Sequence, residues 1–176
     1  MQIHANCEYD FEACQALTYI ALYRKKDPSR CFTRNNILLA ILFAVVLLDM
    51  ILFGPEKEFI ILMIAIVIMG ILDWFLYYQY PKINYRSLAN FKNVSNEFVF
   101  TEEKLLVTSH NNEYSGQCEI AYSLFVKAYE TSRYLFLYQT NNQVFIIDKS
   151  TLTNGTIEEI RTTLSQYFQK YYICKY

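Results

Sequence analysis

Two apolar stretches decide how this chain folds: ILLAILFAVVLLDMILF at residues 37–53 and FIILMIAIVIMGILDWFLYY at residues 59–78. As α-helices rising about 1.5 Å per residue they would measure roughly 25 and 30 Å, close to the thickness of the hydrocarbon core of a bilayer. Neither stretch has the polar stripe that a helix facing water on one side needs. The sequence therefore predicts a transmembrane helical hairpin that turns at Gly54-Pro55.

Basic side chains are concentrated outside the two stretches, whereas the loop between them carries one Lys between two Glu. Lys and Arg near the ends of membrane helices stay on the cytoplasmic side. The distribution therefore predicts two cytoplasmic termini, with Trp74, Tyr77, Tyr78 and Tyr80 as an aromatic belt at the inner interface. The basic residues expected to fix this topology are Arg24, Lys25, Lys26, Arg30, Arg34, Lys82 and Arg86.

The composition argues against several classes of function. A formal net charge of −1 over 176 residues argues against a nucleic-acid partner, because phosphate binding needs a clustered basic surface. The five cysteines are scattered without CxxC spacing, and His4 and His110 have no acid or second histidine at metal-ligand spacing. We therefore expect reduced cysteines, no metal, no cofactor and no catalytic residues.

The first segment of the chain is expected to combine a strand and a helix. Ile3, Ala5 and Cys7 alternate with polar residues, which is the period of a half-buried strand. Such a strand is too short to be stable alone, so we expect it to join a sheet of the C-terminal domain. Asp10 is placed to cap a juxtamembrane amphipathic helix at about residues 11–26.

The whole chain is expected to fall into four segments. They are residues 1–36 with the strand and juxtamembrane helix, 37–80 with the transmembrane hairpin, 81–93 as a basic connector, and 94–176 as a cytoplasmic β domain with a C-terminal helix. The connector is expected to start at Tyr80-Pro81-Lys82.

The periodicity after the connector is that of strands. Turn residues such as Asn111-Asn112 and Asn141-Asn142, which tolerate the positive φ of tight hairpin turns, separate the apolar runs. The runs lie at 96–100, 105–109, 116–122, 125–129, 134–140 and 143–148. They predict an antiparallel meander.

The last predicted element is a helix that begins at Thr156, which forms a capping-box pattern with Glu159. Its apolar face consists of Ile157, Ile160, Leu164, Phe168 and Tyr171. Strands followed by one amphipathic helix predict an α+β domain, either a sheet covered by the helix or a small barrel closed by it.

Four stretches carry a resemblance to a known family: Tyr9-Asp10-Phe11, Phe98-Val99-Phe100-Thr101-Glu102-Glu103, Tyr134-Leu135-Phe136-Leu137-Tyr138 and Val144-Phe145-Ile146-Ile147-Asp148-Lys149. With the order of the elements, they resemble the YcxB-like family of small bacterial membrane proteins. Asp148 stands where that family usually has proline. The resemblance implies a bacterial cell membrane and a C-terminal domain related to pleckstrin-homology-like folds, but no activity and no functional residue.

A pleckstrin-homology-like fold raises the question of phosphoinositide binding. In the lipid-binding domains of that fold a basic first hairpin loop contacts the phosphates. Here the corresponding loop is Thr101-Glu102-Glu103-Lys104, which is acidic on balance. This departure from the family pattern argues against recognition of a lipid headgroup.

Asp49 and Asp73 are the polar side chains of most interest within the apolar stretches. A carboxylate at the centre of a bilayer costs about 2.5 to 3.5 kcal/mol on insertion scales, so such residues are candidates for function. Three roles remain open for them: packing at the interface, a contact between protomers, or an ion pathway. Ala40 and Ala44 are spaced to allow close approach of helices.

The leading hypothesis is a non-enzymatic, two-span membrane protein that presents a cytoplasmic interaction or regulatory module. Its expected partners are the bilayer and either another protein or a second copy of the chain. One alternative is an oligomeric transport or channel component that uses Asp49 or Asp73. Another is a membrane-tethered enzyme with a site among His110, Glu119 and Asp148.

Overall fold

The structure, a computed structural model, describes residues 2–24, 26–87, 94–110, 115–140, 143–167 and 170–174. The predictions made for Lys25, for residues 88–93 of the connector, for both Asn-Asn turns and for Phe168 fall outside these residues. The helices are α1 (Phe11–Tyr23), α2 (Pro28–Phe53), α3 (Lys57–Trp74), α4 (Tyr80–Ser87) and α5 (Ile157–Tyr167). The strands are β1 (Ile3–Glu8), β2 (Ser95–Phe100), β3 (Lys104–His110), β4 (Ser115–Ala121), β5 (Lys127–Glu130), β6 (Tyr134–Tyr138), β7 (Val144–Asp148) and β8 (Tyr171–Ile173).

Two long apolar helices form the hairpin. The first is α2, and the second runs without a break from Lys57 to Ser87 through α3, a π-helical turn at Phe75–Gln79, and α4. Both are long and apolar enough to cross a membrane, and only 6% of the most apolar window of each is buried within the protein. The prediction of two apolar helices is therefore confirmed.

α2 begins well before the apolar stretch because its start is capped. The Asp27 carboxylate accepts hydrogen bonds from the backbone N–H groups of Ser29 and Arg30, at 2.9 and 3.3 Å. Pro28 then occupies the first helical turn, where its missing N–H costs nothing. α2 thus carries Arg30 and Arg34 on its first two turns, ahead of the apolar part.

Helix continues past Tyr80-Pro81, where the connector was expected to start, through Pro81 to Ser87. In a regular α-helix the Tyr77 carbonyl would accept from the N–H of residue 81, which proline lacks. The π-helical turn lies just before this point, and the Tyr19 hydroxyl donates to the Tyr77 carbonyl at 3.1 Å. A side chain of α1 therefore supplies the donor that the proline removes.

The β module has two four-stranded sheets, in the orders β1-β2-β3-β4 and β7-β6-β5-β8. Each of the six predicted runs overlaps one of the strands β2 to β7. The single meander that was expected is instead divided in two, because a 3-10 turn at Tyr122–Leu124 separates β4 from β5. The fold is α+β, as predicted.

The N-terminal strand prediction is confirmed. β1 pairs antiparallel with β2, from Ile3 opposite Phe100 to Glu8 opposite Ser95. Ile3, Ala5 and Cys7 are buried in the core while the residues between them are exposed. Asp10 caps α1 as predicted, since its carboxylate accepts from the Ala13 N–H at 2.8 Å. The module is therefore built from both ends of the chain.

The C-terminal helix is shorter than predicted. α5 ends at Tyr167, and Tyr171, which was assigned to its apolar face, instead begins β8, which pairs parallel with β5. Ile160 and Leu164 of the predicted apolar face are fully buried, and Ile157 is partly buried against the same core. Tyr171 leaves the helical path because the free edge of β5 offers backbone partners and its hydroxyl reaches a buried carboxylate of that strand.

The two sheets meet at one edge without closing into a barrel. An isolated antiparallel bridge joins them. The His4 N–H donates to the Thr153 carbonyl at 3.0 Å, and the Thr153 N–H donates to the His4 carbonyl at 2.9 Å. The Thr151 hydroxyl also donates to the Asn6 carbonyl at 2.8 Å. Of the two expected arrangements, the described residues form open sheets, and the pleckstrin-homology-like character is not confirmed.

Candidate functional site: a basic cleft beside the helical hairpin

An aromatic cluster fastens the module to the base of the hairpin. The Tyr77 ring is stacked between Tyr19 of α1 and Phe32 of α2, with ring centroids 5.3 and 4.5 Å away. Of the predicted aromatic belt, Trp74, Tyr78 and Tyr80 are exposed, whereas Tyr77 belongs to this junction. The cluster holds the end of α1 close to the start of α2, where a cavity opens.

The larger cavity of this region has a volume of about 690 Å³, which is in the range of small-ligand sites. It lies between the end of α1, the first turns of α2, and the strands β5 and β8. Its lining residues are Leu22, Tyr23, Arg24, Lys26, Cys31, Arg34, Asn35, Tyr129 and Tyr172. We call this cavity the basic cleft.

A second cavity, of about 550 Å³, continues the cleft between α1, α4 and the second sheet. Arg24 and Tyr129 line both cavities. Lys127 contributes its ammonium group, which lies 4.5 Å from the centre of the Tyr138 ring. The two cavities therefore form one region in which cations alternate with tyrosines.

The charge of this region is one-sided. Arg24, Lys26, Arg34 and Lys127 line the two cavities, and none of their described lining residues is acidic. The pKa of the Tyr129 phenol is raised, mainly by burial and also by Tyr172. The nearby positive charge of Arg24 acts in the opposite direction and lowers this pKa in part. An anion entering the cleft would meet several positive charges and uncharged phenol donors.

Arg24 has an unusual backbone conformation. It caps the C-terminal end of α1 with a backbone φ of 56°, in the left-handed region that residues other than Gly and Asn rarely adopt. Its N–H donates to the Ile20 carbonyl at 2.9 Å, and its own carbonyl lies 3.8 Å from the Cys174 Sγ. These contacts hold the end of α1 against β8, and they place the Arg24 side chain at the point where the two cavities meet.

The topology residues predicted from the sequence do not all lie in this cleft. Arg24, Lys26 and Arg34 line it, whereas Arg30 pairs with the Asp27 carboxylate at 3.3 Å. Lys82 and Arg86 lie on α4, away from both cavities. Whether any of them fixes the topology stays a prediction.

Sequence reasoning missed the contribution of the module to the cleft. Lys127 and Tyr129 occupy alternate positions of β5, so they share one face of the strand, while Ala128 and Glu130 are buried on the other. That alternation could have shown which side chains point away from the core. Tyr172 could not have been found in this way, because its segment was assigned to a helix.

The two carboxylates of the apolar helices lie far apart, as expected. Counting helical rises from the turn of the hairpin, Asp49 and Asp73 are roughly 18 Å apart along its axis. The Oδ2 atom of Asp73 is buried without a hydrogen-bond partner among the described residues. The pKa of the nearby Tyr23 phenol is raised, first by burial and second by the negative charge of Asp73. The functional role of both carboxylates stays a prediction.

The three residues of the enzyme hypothesis are not brought together. His110 Nδ1 lies 3.0 Å from the Ser115 hydroxyl at one end of β3, and Glu119 pairs with Lys104 at the other end. Asp148 lies in the second sheet, where Arg133 Nη2 is 2.9 Å from its carboxylate. This particular set of side chains therefore forms no common site.

The fold and cleft define a class: an α+β protein with a two-helix apolar hairpin whose β module carries a basic cleft at the base of the helices. Residues 100–164, a little over a third of the chain, match the family model described as YcxB-like protein. This confirms the resemblance derived from the sequence, and the matched segment runs from the end of β2 into α5. No curated protein and no solved structure matches the chain.

Proposed function

We propose that this protein is a two-span protein of the bacterial cell membrane with both termini in the cytoplasm. In this proposal the hairpin is an anchor, and the α+β module is a non-enzymatic interaction or regulatory unit held at the inner surface of the membrane. Residues 37–53 and 59–78 are the spanning segments. The partner of the module is either another protein or a second copy of the chain.

The observation that carries the proposal is the exposure of the hairpin. Large apolar side chains project from it on all sides, with Phe53 75%, Ile51 70% and Ile61 67% exposed. Soluble monomers rarely expose apolar patches larger than a few hundred Å². In a bilayer the same side chains would contact lipid, and the backbone groups would be satisfied within the helices.

The proposed orientation rests on the distribution of charge. The cationic residues of the cleft, together with Lys82 and Arg86, lie at the end of the hairpin that carries the module. The opposite end, at Gly54 to Glu58, carries two acidic side chains and one lysine. A cytoplasmic module satisfies the preference of Lys and Arg for that side.

Paired reporter fusions test the proposal. Alkaline phosphatase and green fluorescent protein would each be fused after Glu56 in the hairpin turn and at the C-terminus. We expect phosphatase activity only from the turn fusion and fluorescence only from the C-terminal fusion. Active phosphatase at the C-terminus would contradict the topology, and extraction of the untagged chain by alkaline carbonate would contradict membrane insertion itself.

A further inference from the structure

We propose that the basic cleft binds the phosphate of an anionic phospholipid from the cytoplasmic leaflet. The proposal rests on the membrane topology proposed above, and it adds a ligand class to the module. The ligand would place its phosphate among Arg24, Lys26 and Arg34, with an acyl chain remaining beside the hairpin. The cleft would then link the lipid composition of the membrane to the position of the module.

The residues that line the larger cavity are suited to binding a phosphate. Arg24, Lys26 and Arg34 all line the larger cavity, and no carboxylate is among its described lining residues. Arginine is suited to phosphate because its planar group donates two parallel hydrogen bonds. Burial raises the pKa of Tyr23, and the pKa of Tyr129 is also raised, so both phenols remain neutral donors at neutral pH.

The cleft lies at the depth of the lipid headgroups relative to the proposed span. Arg34 lies one helical turn before Ile37, where the apolar stretch of α2 begins. One turn is about 5.4 Å, so the Arg34 side chain would lie at the level of the headgroups when residues 37–53 occupy the hydrocarbon core. A phospholipid phosphate lies at this depth and would need no displacement to enter.

A groove leads from the cleft toward the apolar surface of the hairpin. A cavity of about 380 Å³ on α2 also has Arg34 in its lining, together with Ser29, Arg30, Thr33, Ile37 and Leu38. Arg34 therefore joins a polar cavity to a groove that ends on aliphatic side chains. This sequence of surfaces matches a phospholipid, whose charged group is followed by an acyl chain.

The first hairpin loop of the module does not serve the same purpose. Between β2 and β3 its backbone closes through the Thr101 N–H, which donates to the Lys104 carbonyl at 3.0 Å. The Lys104 ammonium is paired with the Glu119 carboxylate. The proposed site is therefore the cleft beside α1 and α2, at a different place from a pleckstrin-homology-type loop.

Native mass spectrometry of the full chain, released from a nonionic detergent, provides the test. The protein would be titrated with phosphatidylglycerol, with phosphatidylcholine of the same acyl chains, and with glycerol 3-phosphate. We expect phosphatidylglycerol to bind about tenfold more tightly than phosphatidylcholine, because both carry a phosphate but only the second carries a choline cation, which the positive charges of the cleft would repel. Glycerol 3-phosphate, which lacks acyl chains, should bind at least about tenfold more weakly than phosphatidylglycerol.

A charge-matched pair of variants locates the site. Arg24→Gln with Arg34→Gln removes two charges from the cleft and replaces each arginine by an uncharged, unbranched polar side chain. Lys82→Gln with Arg86→Gln removes two charges from α4 outside both cavities. We expect the cleft pair to lose the preference for phosphatidylglycerol and the α4 pair to keep it within about threefold.

Several results would overturn the proposal. These are equal binding of the two lipids, equal weakening by the two variant pairs, binding of glycerol 3-phosphate as tight as that of the lipid, or binding of an acidic peptide in place of lipid.

If the cleft pair fails to fold, Lys26→Gln alone, at an exposed position, should weaken binding at least about twofold. Unchanged binding by that variant would also count against the site. The reporter fusions give an independent readout, so cytoplasmic termini without lipid preference would remove this inference alone.

Discussion

Glu130 and Arg161 form a forked ion pair that ties α5 to the second sheet: Arg161 Nη2 lies 2.9 Å from Oε1 and 3.1 Å from Oε2 of Glu130, and Nε lies 3.2 Å from Oε2. The Glu130 side chain is only 4% exposed. Lys149 Nζ and the Tyr171 hydroxyl also donate to it, at 3.0 and 2.8 Å. One carboxylate therefore joins β5, α5, β8 and the turn after β7.

Replacing this carboxylate should destabilise the module more than replacing an exposed one. Glu130→Gln leaves Arg161 and Lys149 without their partner, and breaking a buried pair in this way costs about 3 kcal/mol. Glu119→Gln is the matched control, because Glu119 pairs with Lys104 at an exposed position and should cost less than about 1 kcal/mol. Guanidinium unfolding of the full chain in detergent measures both, and equal losses would contradict the assignment.

Stability should fall in acid, and Glu130 should account for part of the fall. Burial raises the pKa of Glu130, but the hydrogen bonds from Arg161, Tyr171 and Lys149 outweigh burial and lower it. The pKa of Asp148 is also lowered, because hydrogen bonds from Ser150 and Arg133 outweigh burial. A carboxylate whose pKa is lower in the folded state than in the unfolded chain stabilises the fold at pH values above its ordinary pKa. This stabilisation is lost as the pH falls below about 4.

The measurement is the unfolding midpoint between pH 7 and pH 3. It should change little until the pH approaches 4 and then fall. Because Glu130→Gln removes one of the two carboxylates, this variant should show a smaller decrease than the wild type, from a lower starting value. An identical decrease in both proteins would mean that Glu130 does not contribute.

The hydrogen bond from the Tyr19 hydroxyl to the Tyr77 carbonyl should stabilise the fold, because Pro81 has no N–H to donate to that carbonyl. Tyr19→Phe removes the donor and should cost about 1 kcal/mol. In a Pro81→Ala background the N–H of residue 81 is restored and can serve the same carbonyl, so the cost of Tyr19→Phe should fall toward zero. Thermal unfolding of the four proteins measures this coupling, and the same loss in both backgrounds would rule it out.

An anchor with a regulatory module should not conduct ions. Asp49 and Asp73 lie near opposite ends of the hairpin, so a single chain offers no continuous polar path between them among its described residues. Vesicles reconstituted with the protein should therefore show the same proton and cation flux as empty vesicles. A flux in the wild type that Asp73→Asn abolishes, while Asp73→Glu retains it, would favour the transport hypothesis.

The elements that depend on local pattern were predictable from the sequence. The alternation of Ile3, Ala5 and Cys7 identified β1, and Asp10 identified the start of α1. The two apolar stretches identified the hairpin. In each case the residues that determine the structure lie within a few positions of one another.

The elements that depend on distant partners were not predictable. Tyr171 leaves the helical path because β5 offers a free edge and Glu130 an acceptor, both about forty residues earlier in the chain. Pro81 stays in a helix because α1 supplies a hydroxyl. The cleft likewise joins Arg34 to Tyr129 and Tyr172, which only the folded chain brings together.

The membrane topology is tested most directly by labelling Cys118. It lies exposed on β4, whereas Cys7, Cys14 and Cys174 are buried, and burial raises the pKa of Cys7 to about 12, which keeps that thiol unreactive at neutral pH. A Cys31→Ser protein would be treated with a membrane-impermeant maleimide in spheroplasts and in inverted vesicles. Cys118→Ser serves as the unlabelled control.

A cysteine at the turn of the hairpin provides the opposite control. Glu56 is exposed and its side chain makes no capping hydrogen bond, so Glu56→Cys should leave the fold unchanged. We expect Cys118 to be labelled only in inverted vesicles and the cysteine at position 56 only in spheroplasts. Labelling of Cys118 in intact spheroplasts would contradict the cytoplasmic module, and with it the account of the hairpin as its inner-membrane anchor.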